Sequence, residues 1–298
     1  VTIAVLLVLA ALILPSMRDT RGVFRRSECQ NNMKQMVTAM MNYTSRSDGQ
    51  LPPLFTPESD VVRRNWIVSI LPELDQAAVA RRWDEQAQSG VPFQPISSKV
   101  LQCPVDTDSF QVPGGLSYVV NSGYGRFSVS PGDRAVSEVG RHSVRNVDWN
   151  NDGTVSDREV EITTATGVFW PAGSGGGSTL EMITQGDGQS QTMLVAENLY
   201  AGKWDSFEIM DLAFVAGVDR VQFTDRTSET PLTLKSADLG PFAVNGGRTP
   251  HCSPAPSSNH QGVAVLGFAD GSVHWISEAI DPLVYLGLLT PDGQRYGQ

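Results

Sequence analysis

The chain has 298 residues, 40% hydrophobic and 18% charged, which suffices for one large domain or two small ones around a sizeable buried core. Its 22 Lys and Arg against 32 Asp and Glu give a net charge of −10. No basic stripe occurs beyond the first 35 residues, which argues against a nucleic-acid partner.

Residues 1–14, VTIAVLLVLAALIL, carry no charged side chain, and Pro15, Arg18, Arg21, Arg25 and Arg26 follow. At ~1.5 Å rise per residue this run reaches about 21 Å, short of the ~30 Å hydrocarbon core of a bilayer. A signal peptide fits poorly, because positive charge follows the run and no small-x-small cleavage site comes after it. A core helix apolar on every face would need a wholly buried environment. Further on, Met33, Met36, Val37, Met40 and Met41 recur at helical spacing, with Asn31, Asn32, Lys34, Gln35 and Thr38 between them. A helix apolar all round thus becomes amphipathic after Pro15, which can kink a helix without ending it. The stripe is expected to pack on the chain's own sheet. The helix should stop near Ser47-Asp48-Gly49, and Pro52-Pro53 cannot continue it.

From about residue 50 the pattern changes to short strand-like runs between Gly, Pro, Asn and Asp: Leu116–Val120, Gly167–Trp170, Gln191–Ala196, Arg220–Phe223 and Val263–Phe268. Residues 61–88 contain a helical stretch, best defined from Pro72 to Ala87, and GSGGGS at Gly173–Ser178 reads as a flexible loop. The expected fold is α+β: a long N-terminal helix, residues 1–50, packed on a mainly antiparallel sheet within a globular domain, residues 51–298. Near the C-terminus, Val263–Ala269 and Ser272–Ile276 form a predicted hairpin turning at Asp270-Gly271, where both positions tolerate φ > 0.

Residues 148–159, DWNNDGTVSDRE, fill the twelve-residue calcium loop. Asp148, Asn150 and Asp152 offer alternate side-chain oxygens, Thr154 its carbonyl, Ser156 a ligand directly or through water, and Glu159 a bidentate carboxylate. Gly153 permits the sharp turn and Val155 the apolar anchor. Without Ca2+ the carboxylates of Asp148, Asp152 and Glu159 would repel one another; the competing reading is a metal-free Asn/Asp/Gly turn. The flanks weaken the pattern, since Val160–Thr164 looks β-like. Asp106 and Asp108 are a second, weaker acidic pair.

His260 could serve as a ligand or base, but a lone His beside Asn259 and Ser258 reads as a hydrogen-bonded loop anchor. No nucleophile motif accompanies it, so no enzyme is expected. The cysteines Cys29, Cys103 and Cys252 have no C-x-x-C spacing, which disfavours zinc. One pair can close outside the cell, Cys103 with Cys252 being the expected pairing and three buried thiols the alternative. Most of the tryptophans, Trp66, Trp83, Trp149, Trp170, Trp204 and Trp275, are expected in the core.

The apolar-then-amphipathic helix with a proline between its halves resembles the stem of type IV pilins and type II secretion pseudopilins. The stretch from Cys29, CQNNMKQMVTAMMNYTSRSDGQLPP, is similar to a large bacterial family of prepilin-like proteins with an H-x9-DG signature. The likeness continues through Leu101-Gln102-Cys103-Pro104 with Asp106, Ser117-Tyr118, Asn121, Asp187-Gly188, Ala196-Glu197-Asn198, and His260 with Asp270-Gly271. In that family the mature chain usually opens with Phe and carries Glu four residues later, with the proline about two turns further along than Pro15. About seven residues upstream of Val1, including that Glu, would bring the run to roughly 21 residues, enough to span; a shortened stem with Val5 in place of the Glu is the alternative. The basic residues after the run sit on the side a pilin places outside, against the usual positive-inside bias.

The resemblance implies a structural subunit of an extracellular filament on the cell surface, anchored in the inner membrane before assembly. Its partners would be copies of itself in a helical assembly, a prepilin peptidase and the pilus assembly machinery, with methylation at the mature N-terminus. A type II secretion pseudopilin or a membrane-anchored surface binding protein are the alternatives.

Overall fold

The computed structural model describes residues 2–57, 59–125, 127–128, 136–137, 154, 156–172, 178–217, 221–224, 233–237, 239–240, 243–246 and 255–293. Side chains are described for these except at 2–21, 125, 127–128, 136–137, 158–159, 163, 217, 221–224 and 233–237. Asp148, Trp149, Asn150, Asp152, Cys252 and the glycine run at 173–177 therefore lie outside the described residues.

A single helix, α1 (Thr2–Arg46), runs through Pro15. It ends as the sequence predicts: Asp48 and Gly49 turn left-handed at φ 50° and 79°, and the Gly49 N–H donates to the Thr44 carbonyl at 2.9 Å. Met33, Met36, Val37 and Met40 are buried, as are Cys29 and Ala39, so the stripe faces inward. Residues 22–28, ahead of Cys29, are exposed, Val23 and Phe24 among them.

The stripe lies on a five-stranded sheet made of β1 (Tyr118–Gly125), β4 (Met193–Glu197), β5 (Ala213–Gly217), β8 (Val263–Phe268) and β9 (Val273–Ser277), in the order β5-β1-β4-β8-β9. Small ribbons pair β2 (Phe127–Ser128) with β3 (Val136–Ser137) and β6 (Val221–Thr224) with β7 (Thr233–Ala237). Strand β8 passes under α1 at Gly267, where a Cβ would overlap the Val37 side chain. Every residue of β4 is buried.

The sheet is mostly antiparallel, but β1 and β5 run parallel. After β4 the chain reverses through α6 (Ile209–Leu212) and settles beyond β1, so β5 is antiparallel to β4 and parallel to the strand between them. Gly167–Trp170 is not a strand: the Val168 and Phe169 N–H groups both donate to the Asn121 carbonyl, at 3.2 and 2.8 Å, which lays this segment against β1. The helical stretch at 61–88 is broken into α2 (Trp66–Ile70), a 3-10 turn at Leu71–Leu74 and α3 (Ala77–Ser89), parted by Asp75 at φ 58°.

The β8–β9 hairpin forms, with a different turn from the one predicted. Only Gly271 is left-handed, at φ 81°; its N–H donates to Phe268 and the Phe268 N–H to Ser272, both at 3.0 Å. This is a tight turn closed by a glycine bulge. Four tryptophans, Trp66, Trp83, Trp170 and Trp204, are buried. Each satisfies its indole N–H with a backbone carbonyl at 2.9–3.1 Å.

Candidate functional site: the junction of stem and domain

On α1, Asn32 donates to the carbonyls of Lys99 and Gln102, at 3.0 and 3.1 Å. These bonds hold the 3-10 turn at Lys99–Leu101 against the helix. Cys29 lies three residues before Asn32, on the same helix face, and it is joined to Cys103, with a Cα–Cα distance of 5.2 Å. The pairing with Cys252 expected from the sequence is therefore wrong: nothing in linear spacing reports that Asn32 delivers Cys103 to the stem.

Three further elements converge on the disulfide. Strand β4 ends in Glu197, fully buried and paired in register with Tyr118 of β1. Residues 255–260 run along the end of β4, held by Ser257 N–H to the Glu197 carbonyl at 2.9 Å and Asn198 Nδ2 to the Ala255 carbonyl at 2.9 Å. That path places His260 Nε2 3.5 Å from Cys103 Sγ and 3.8 Å from Glu197 Oε1. The His260 ring meets Trp275 of β9 edge-on at 4.8 Å. Arg26 of the stem stacks over Trp275 at 4.7 Å, and Gln30 accepts its indole N–H at 3.4 Å. Lys34 donates to the Gly271 carbonyl, so the stem also grips the hairpin turn.

The junction is buried and its charges are suppressed. Neither Glu197 carboxyl oxygen has a donor in good hydrogen-bond geometry, and only Ser258 and the main chain of Val265 lie near enough to act on it. Burial pushes the Glu197 carboxyl up to about 8, tempered by nearby Ser258 and the main chain of Val265. Burial, and secondarily Arg26, lowers His260 to about 4. At neutral pH the contact is thus a protonated acid beside a neutral imidazole. Tyr118, whose hydroxyl donates to the Cys29 carbonyl at 3.4 Å, is pushed well up, first by burial and then by Glu197.

A raised carboxyl favours the fold while it is protonated, so this contribution is full below pH ~4.5 and is lost as pH rises toward 8. The lowered histidine works the opposite way: its contribution is full above pH ~6.5 and is lost toward pH 4. Thermal melts should show stability falling by roughly 1 kcal/mol between about pH 6.5 and 7.5. Glu197→Gln should flatten that slope, and an unchanged slope would refute the assignment to Glu197.

His260 is the loop anchor that the sequence suggests: its own N–H donates to Ser258 Oγ at 2.8 Å. Asn259 Nδ2 donates to the Val105 carbonyl at 2.9 Å, tying the same loop to the Cys103 segment. Asp106 is buried and accepts from Ser117 Oγ at 2.6 Å and from the N–H groups of Asp108 and Ser109 at 3.3 Å. It orders a turn. Glu197 was missed as a site residue. Its signals were its place in the family-like segment Ala196-Glu197-Asn198 and an acid closing an apolar run, Met193-Leu194-Val195-Ala196, with no polar alternation.

Of the acidic loop, Thr154 and Ser156 are described and exposed. The segment expected to be β-like is instead α4 (Asp157–Ala165), which carries Glu159 in its first turn. The β-branched run that suggested a strand is accommodated on this helix: Ile162 is buried, and Thr164 returns its hydroxyl to the Val160 carbonyl at 2.8 Å.

A family model described as a protein of unknown function (DUF1559) matches residues 19–283, which include every residue of the junction. No curated protein and no solved structure is similar to the chain.

Proposed function

The chain belongs to the DUF1559 family of pilin-like bacterial surface proteins, and from that membership we propose that it is a structural subunit of an extracellular type IV pilus-like filament. The observation that carries this reading is the division of α1. Its 45 residues measure about 68 Å at 1.5 Å per residue. The domain buries the stripe only from Cys29 onward, leaving residues 22–28 exposed, including Val23 and Phe24 at 64% and 68% exposure. Among the described residues no helix is long and apolar enough to cross a membrane; the apolar run at residues 1–14 belongs to the end of the stem whose side chains are not described. In this reading the N-terminal end sits in the inner membrane before processing by a prepilin peptidase, then packs against copies of itself in the fibre core.

The Cys29–Cys103 bond fits an oxidising location outside the cytoplasm. Val23→Glu with Phe24→Glu should abolish fibres while leaving the melting temperature of the domain unchanged. Normal fibre yield from that variant would count against assembly through the stem.

The loop at 148–159 is proposed to bind a structural Ca2+ through Asp148, Asn150, Asp152, Thr154, Ser156 and Glu159. The start of α4 at Asp157, loop position 10, supports it, because it puts Glu159, the twelfth residue, in the first turn of a helix leaving the loop. With a Kd of ~10⁻⁴ M, millimolar calcium stabilises the fold by about 1–2 kcal/mol. A chelator should therefore lower the melting temperature by a few degrees, and Asp152→Ala should remove the response. A melt indifferent to chelator would eliminate the metal.

A further inference from the structure

We propose that the junction of stem and domain is a second, thiolate-type metal site, filled by a thiophilic divalent cation such as zinc when the Cys29–Cys103 bond is reduced. One ligand atom from each of Cys29, Cys103, Glu197 and His260 lies within 4.8 Å of the others, and all four residues are buried. Zinc bound tetrahedrally at ~2.0–2.3 Å places its ligand atoms about 3.3–3.8 Å apart. Two of those edges already exist: Cys103 Sγ to His260 Nε2 at 3.5 Å, and His260 Nε2 to Glu197 Oε1 at 3.8 Å. Opening the sulfur–sulfur bond to the same spacing completes a tetrahedron with two sulfurs, one nitrogen and one oxygen.

The poorly satisfied carboxyl is the independent observation. A fully buried acid with only Ser258 and the Val265 main chain nearby, and neither oxygen in good hydrogen-bond geometry, is destabilising in the disulfide form. A cation at this point gives it a partner. The sequence does not advertise the site, because its ligands stand at 29, 103, 197 and 260, far from any compact zinc spacing.

The chemistry balances with a trialkylphosphine as reductant. Phosphine and water convert the disulfide to two thiols and a phosphine oxide. Binding of one divalent cation then releases three protons, two from the thiols and one from the Glu197 carboxyl. Oxidation of the thiolates by a disulfide partner returns the Cys29–Cys103 bond and expels the metal. Metal and disulfide are therefore alternative fastenings of the same stem to the same domain.

The test uses the full chain, reduced with phosphine and titrated with Co2+ in excess calcium so that the acidic loop is occupied. One cobalt per chain is expected, with thiolate-to-cobalt charge transfer and the intense visible bands of a tetrahedral ion. The oxidised protein should bind none. His260→Ala and Glu197→Gln should each weaken binding by at least the roughly tenfold typical even of lost outer partners of a metal ligand. Zinc should raise the melting temperature of reduced wild type and leave the oxidised form unmoved, which covers the case of a reduced variant that folds poorly. Failure of reduced wild type to bind cobalt overturns the proposal. So does cobalt binding indifferent to both substitutions, or a reduced chain that unfolds and is not restored by zinc.

Discussion

Cys103→Ser is expected to destabilise the protein by about 4 kcal/mol, the chain-entropy value for cysteines 74 residues apart. The bond joins the stem to the 99–106 segment at the point where β4 and the His260 loop also meet, so its loss removes the only disulfide cross-link among the described residues. For a chain of this length the melting temperature should fall by about 7 °C. Cys29→Ser should match it, and the double variant should add nothing, because both remove one bond. Reduction of wild type in a chelating buffer should give the same shift relative to oxidised wild type in that buffer. A single variant that melts with wild type would show that the bond carries no stability.

Asn121→Ala should cost about 3–5 kcal/mol, read as a lower denaturant midpoint. Asn121 is fully buried in β1. Its Nδ2 donates to the Met193 and Leu289 carbonyls at 2.8 and 2.7 Å, and its Oδ1 accepts the Gly123 N–H at 2.8 Å. One side chain thus ties β1 to β4 and to the segment after α7 (Pro282–Gly287), beside the register shift between Asn121 and Tyr124. Alanine deprives all three partners of these bonds in a fully buried core. Asn121→Asp should be no milder, because it loses both donors and buries a carboxylate. A loss under about 1 kcal/mol would mean that water replaces the amide.

Much of this architecture was legible because it is local. The methionine stripe follows from 3.6-residue periodicity, the end of α1 from Asp48-Gly49, and the C-terminal hairpin from Asp270-Gly271 between apolar runs. What stayed hidden depends on partners distant in sequence. The parallel β1–β5 pair follows from where the chain returns after β4, and no propensity at Ala213–Gly217 reports it. Val160–Thr164 looked β-like because β-branched residues favour strands, yet Asp157 starts a helix there. The disulfide was assigned to Cys252 because spacing alone cannot show Asn32 docking the Lys99–Leu101 turn. His260 was readable as an anchor, but its neighbours Glu197 and Cys103 were not.

The junction gives the stem a defined seat. Arg26 and Gln30 hold Trp275, Cys29 and Asn32 hold the 99–103 segment and Lys34 holds the hairpin turn, while Val23 and Phe24 just ahead of them are exposed. A helix fastened from Cys29 onward and exposed at residues 22–28 is suited to polymerise without loosening its own domain.

Electron microscopy of the native surface material, with the fibres' polypeptide content identified by mass spectrometry, tests the central claim most directly. The account predicts long helical fibres built of this chain, with α1 bundled at the axis and the domains outside. Short stubs confined to a secretion complex, or a detergent-soluble monomer that never assembles, would contradict it.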